Sequence, residues 1–161
     1  MPGWLIALLV VVIGVVLVVA VLAVLAVHGM RRYVAAAKTV EATNTINEIA
    51  RDAETKYASD KVLCKSASKP VPPTIPPGKK YVSSPGDWTA DPADAGFTCL
   101  GFSLSMPQYY QYDYQAPSRS EFKAIARGDL DYDGKTSEYS LGGKVVAGAV
   151  VLDPAPHVKP E

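Results

Sequence analysis

From Trp4 the chain runs through residues 4–27 without one charged side chain, interrupted only by Gly14. A helix of that length, at about 1.5 Å per residue, is roughly 36 Å long and crosses an apolar bilayer core of about 30 Å with some tilt. The valine-rich stretch 10–19 does not make it a strand, because a lone strand in lipid would leave its backbone amides unpaired. All of the charge, sixteen basic plus sixteen acidic side chains, follows Met30. The headline hydrophobic content of 48% therefore misleads. Residues 31–161 alone are about 40% hydrophobic, which suits one small soluble domain carried on the apolar segment. A net charge of zero leaves no electrostatic footprint for a phosphate backbone, so nucleic acid is not an expected partner.

A cleaved secretory signal needs a basic start and a short apolar core. Met1-Pro2-Gly3 has no basic side chain and the apolar run is too long, so an uncleaved single-pass anchor is expected, although Ala23 and Ala26 are small enough for cleavage. Arg31, Arg32 and Lys38 all follow the span, and counting positive charge would place the domain in the cytoplasm. The two cysteines, Cys64 and Cys99, point the other way. They bracket a proline-rich stretch and would pair in an oxidising compartment, so the domain is expected outside the cytoplasm; the alternative is two buried thiols.

The fold class expected is α+β: a long N-terminal helix, membrane-spanning in its first half, packed on a C-terminal antiparallel sheet. Four stretches compose it: 1–30 the anchor, 31–61 an amphipathic continuation of the helix, 62–96 a proline-rich loop, and 97–161 the sheet. No proline interrupts 31–61, and Ile46, Ile49, Ala50, Ala53 and Tyr57 recur at helical spacing, so one face packs on something. Five prolines between Lys69 and Gly78 end the helix and make an extended surface loop, which the flanking cysteines favour as ordered and tethered; the alternative is a disordered linker. Beyond Gly96, β-type runs at 97–104, 109–114, 122–127, 138–141 and 145–152 read as a meander whose apolar face the helix stripe covers. Tyr110, Tyr112 and Tyr114 share one face of such a strand. The tail 153–161 is expected to be loosely ordered. Trp4, Ile13 and Gly14 in the apolar run, with Ile46, Ile49 and Tyr57 in the stripe, are the positions expected to carry helix packing and assembly.

Chemistry concentrates in Asp129-Leu130-Asp131-Tyr132-Asp133-Gly134, which sets three carboxylates at alternate positions before a glycine turn. Calcium takes six to eight hard oxygens, and this spacing lets Asp129, Asp131 and Asp133 converge, with the Lys135 carbonyl next in line. An EF-hand loop closes with a glutamate at its twelfth position; here that position is Ser140, and Glu138 stands two residues early. Calcium is thus the expected cofactor, against the alternative of a solvated acidic turn between strands. No enzymatic activity is expected. His28 sits at the membrane edge and His157 in the tail, Gly101-Phe102-Ser103-Leu104-Ser105 lacks the glycine that closes a nucleophile elbow, and the cysteines are too far apart for a zinc site.

An apolar N-terminal helix running into an amphipathic one, then a loop and an antiparallel sheet, is the plan of type IV pilins and pseudopilins. The stretch Arg32-Tyr33-Val34-Ala35-Ala36-Ala37-Lys38-Thr39-Val40-Glu41-Ala42 resembles the segment after the pilin membrane helix. Leu100-Gly101-Phe102-Ser103, Tyr109-Tyr110-Gln111-Tyr112 and Ala126-Arg127-Gly128-Asp129 through Gly134 are similar to the C-terminal half of pilin-like proteins of myxobacteria. The resemblance implies a pilin-like fold and a structural subunit of a type IV pilus-like filament, its partners being copies of itself, the membrane, and the pilus or secretion machinery. The alternatives are a pseudopilin-like component of a type II secretion machine, or a tethered calcium-binding module that does not polymerise. Residues 1–9 depart from the family pattern, holding neither a basic leader nor a glutamate at the fifth mature position. The cysteine pair differs too, since many pilins bracket a C-terminal loop.

Overall fold

The structure, a computed structural model, describes residues 2–160, except the side chains of Ile6, Ala7, His28, Arg31, Arg32, Val34, Ala35 and Ala36. Expectations placed on Met1, on His28 at the membrane edge and on the basic pair Arg31 and Arg32 lie outside the described residues. The chain divides into two compact units, Met1–Ala37 and Lys38–Glu161. One helix, α1 (Gly3–Asp60), contributes to both.

Within the first unit the segment Gly3–Val27 of α1 is apolar all round and long enough to cross a membrane, and none of its described side chains is buried. Side chains such as Val11, Val16 and Leu22 are 59–64% exposed, the pattern of a helix that finds its packing outside its own chain.

In the second unit α1 has a different logic. Ala42, Ile46, Ile49, Ala50, Ala53 and Tyr57 are buried at 0–9% exposure, while Asn44, Glu48, Arg51 and Glu54 face out. The stripe packs in one cluster with Tyr110, Tyr112 and Tyr114 of the sheet, all at 0% exposure, and with Phe122, Ala124, Ala126, Tyr139 and Leu141. The sheet is antiparallel, in the order β1 (Gln111–Ser118), β2 (Glu121–Gly128), β3 (Ser137–Val146), β4 (Ala149–Leu152), with β5 (His157–Lys159) also on β3. The α+β class expected from the sequence is the one observed.

The proline-rich loop is ordered along the free edge of β1. Val71 and Tyr112 exchange amide–carbonyl bonds at 2.8 and 2.7 Å, and the Ala67 amide donates to the Tyr114 carbonyl at 2.8 Å. Prolines at 70 and 72 flank a residue whose own N–H is spared for this bond, so a stretch expected to lie apart from the sheet shields its edge. The loop carries a short helix, α2 (Pro85–Trp88), whose Trp88 ring meets Phe97 and Phe102 edge-on at 4.9 and 5.3 Å.

Four sequence expectations are corrected. The run 97–104 is not a strand but a short helix, α3 (Gly96–Leu100), followed by a turn. Phe97 and Leu100 bury the same face three residues apart, and Gly101, at φ +70, ends the helix in the left-handed conformation. Second, the first strand begins at Gln111 rather than 109 and extends to Ser118. Third, 138–141 and 145–152 are not separated at Gly142-Gly143. Both glycines lie inside β3, where a Cβ on Gly143 would sit 2.5 Å from the Phe122 ring and one on Gly142 2.5 Å from the Asp153 carboxylate. The reversal comes at Ala147 and Gly148, φ +51 and +83, the paired positive angles of a tight hairpin. Fourth, the tail is not loose: Tyr139 pairs with Val158 and Ser140 with His157.

Candidate functional site

Three features of the sequence reading converge on places that can be described: the cysteine pair, the packing positions of α1, and the acidic run. Cys64 and Cys99 form a disulfide with Cα atoms 5.8 Å apart across a separation of 35 residues. It ties the segment after α1 to α3, not to a first strand. Of the packing positions, Trp4 and Ile13 are 65% and 51% exposed, and nothing lies within 4 Å of a Cβ built on Gly14. Ile46, Ile49 and Tyr57 belong instead to the interior of the second unit. The six positions thus serve two different surfaces.

The acidic run forms the β2–β3 loop. Gly128 closes β2 because a side chain there would meet the Tyr110 ring at 2.7 Å, and the Ser137 hydroxyl opening β3 donates to the Gly128 carbonyl at 3.1 Å. The proline-rich loop braces the near side, the Gly78 amide donating to the Asp129 carbonyl at 2.7 Å. Asp129, buried at 8% exposure, staples the loop from within: one carboxylate oxygen accepts the Tyr132 amide at 2.8 Å and the other the Gly134 amide at 3.1 Å. Asp131 accepts the Asp133 amide at 3.3 Å. Asp133 takes both the amide and the ammonium of Lys135, each at 2.7 Å, and that hydrogen bond from the Lys135 side chain holds its carboxyl below the ordinary aspartate range.

One oxygen from each of Asp129, Asp131 and Asp133 lies within 4.8 Å of the others. Two oxygens on opposite sides of a calcium ion, each about 2.4 Å away, are about 4.8 Å apart, so this spread suits a shared hard cation and the group could hold one. Glu138, also in the expected ligand set, is engaged elsewhere: it accepts Arg127 Nε at 2.8 Å, with Asp113 on the same guanidinium at 3.6 Å. The Lys135 side chain sits on Asp133 as a built-in cation that a metal would have to displace. Three carboxylates without the closing glutamate match weak sites, with affinities of about 10⁻⁴ to 10⁻³ M.

Glu41, to which the sequence alone assigns no role, has a half-buried carboxylate that accepts the Tyr109 amide at 2.7 Å and the Tyr112 hydroxyl at 3.2 Å. Lys38, one turn earlier, lies 4.4 Å from the centre of the Tyr109 ring. A carboxylate immediately preceding the apolar stripe is the only sequence signal for this clasp between helix and sheet.

No protein family, curated protein or solved structure matches the chain.

Proposed function

We propose that the chain is a structural subunit of a type IV pilus-like filament, anchored through residues 3–27 and displaying its disulfide-bonded domain outside the cytoplasm. The observation that carries this reading is the division of α1 into an apolar length with every described side chain exposed and a striped length that packs on its own sheet. An apolar helix in that state is satisfied by lipid or by identical helices, and small Gly14 together with Ile13 offers a surface on which helices approach closely. Self-association follows. Gentle detergent extraction followed by sedimentation and imaging is expected to give species of many copies; finding only single chains would overturn the reading.

The acidic loop favours a second reading, a membrane-tethered calcium-binding module that does not polymerise. The two separate on what calcium does. In the filament reading, millimolar calcium raises the melting temperature of the domain, and Asp131→Asn removes that rise while leaving the metal-free melting temperature unchanged. In the tethered-module reading calcium also changes the affinity for another protein.

A further inference from the structure

The two ends of the sheet carry opposite charge and opposite shape. β2 spans about 25 Å at about 3.3 Å per residue, so the acidic loop after Gly128 and the turn at residues 119–120 lie at opposite ends of the domain. Beside that turn is a groove of about 660 Å³, floored by Tyr57 and Leu63 and rimmed by four cations and two carboxylates. Lys56 pairs with Asp60 at 2.9 Å and Lys65 with Asp94 at 2.5 Å, which leaves Lys61 and Arg119 as surplus positive charge. At the other end the loop presents Tyr132, 73% exposed, between the exposed Asp131 and Asp133. The Asp129 staple holds this tip in one shape, with Tyr132 at φ +67. Since Asp133 is matched by Lys135, Asp131 is the outstanding charge of the tip.

We propose that the Asp131-Tyr132-Asp133 tip of one copy seats in the groove of a second copy. The Tyr132 ring covers the Tyr57 and Leu63 floor, and the Asp131 carboxylate meets Lys61 and Arg119. A rigid exposed aromatic entering a partly apolar socket with a complementary charged rim is the composition of an interface anchor. Tip and socket are different surfaces, so a head-to-tail contact leaves each pair one unused tip and one unused socket through which further copies can add. This rests on the structural-subunit reading and names the surface by which the domains would meet.

The test uses the full chain in detergent and measures assembly size by sedimentation. Tyr132→Ala and Arg119→Glu change exposed side chains, so each should keep the wild-type melting temperature, and each alone should shift the assemblies to smaller size while association through residues 3–27 persists. Mixed, they should recover part of the lost size, since one variant keeps its socket and the other its tip. Independently, a photoreactive p-benzoylphenylalanine at position 132 should cross-link to peptides containing Tyr57, Lys61 or Arg119 of another copy. Wild-type assemblies that the two variants leave unchanged, or cross-links to other peptides, would overturn the docking and leave the subunit reading standing. A wild-type chain that stays single would overturn both.

Discussion

The first 25 residues of α1 and its last 20 have the same backbone and opposite sources of stability. Along Gly3–Val27 no described side chain is buried. From Ala42 to Tyr57 six apolar positions are buried against a sheet made by the same chain. The difference lies in the distribution of apolar residues: a stripe recruits an internal partner, whereas a helix apolar on every face needs an external one. A filament subunit requires both kinds in one helix, because one half must remain available to lipid or to other copies while the other half holds the displayed domain.

The sharpest way to break the contrast is to unfold one half and keep the other. Burial pushes the Tyr110, Tyr112 and Tyr114 hydroxyls well above the ordinary tyrosine value. The folded state therefore prefers the neutral phenol. Stability from these groups is complete below about pH 10 and is lost as the pH rises toward the folded-state values. In detergent, raising the pH should abolish the sheet signal in circular dichroism in the same step that ionises these three rings, while the apolar half of α1 stays helical. Smooth ionisation near pH 10 with the sheet intact would contradict the packing described here.

Removing the disulfide acts on the second unit alone. Closing a 35-residue separation restricts the unfolded chain by about 3.8 kcal/mol in loop-closure entropy, so Cys64→Ala/Cys99→Ala should lower the free energy of unfolding by that order, read from denaturant titration. Next in size is a matched pair of truncations in α1. Ile49→Ala, at 0% exposure, should cost about 3 kcal/mol of domain stability, and Val16→Ala, 60% exposed, less than about 0.5 kcal/mol. Equal effects would erase the distinction between the halves. The smallest effect belongs to the surface. The Lys65 ammonium holds Asp94 below the ordinary carboxylate range, so this pair stabilises above about pH 4 and stops doing so as the pH falls through the lowered value. Asp94→Asn should flatten that acid limb slightly, and added salt should mask the change.

The sequence exposes these features unevenly, for physical reasons. The apolar run and the Ile46, Ile49, Tyr57 stripe are legible because helix periodicity is local. The cysteine pairing was legible as one of two outcomes. The run 97–104 misleads because Phe97, Thr98 and Cys99 have strand-forming side chains, while its conformation is set by Gly96 and Gly101 at positive φ and by the tether to Cys64. Gly142-Gly143 reads as a turn until the Phe122 ring is placed opposite, a contact 21 residues distant in sequence. In the acidic loop the three aspartates were legible, but the diversion of Glu138 to Arg127 depends on strand register, which spacing does not encode. Tyr132 and Arg119 gave no local signal, because each gains meaning only from the opposite ends of a folded sheet.

In the proposed filament, residues 3–27 pack with identical helices. Cryo-electron microscopy of material sheared from the cell surface, with intact mass of the same protein, tests it most directly. The expected result is filaments with these helices bundled at the centre, the domains outside, and a mass two hydrogen atoms below that of the fully reduced chain, reflecting the Cys64–Cys99 bond. A chain that remains singly dispersed in the membrane fraction, with no filament density, would contradict it.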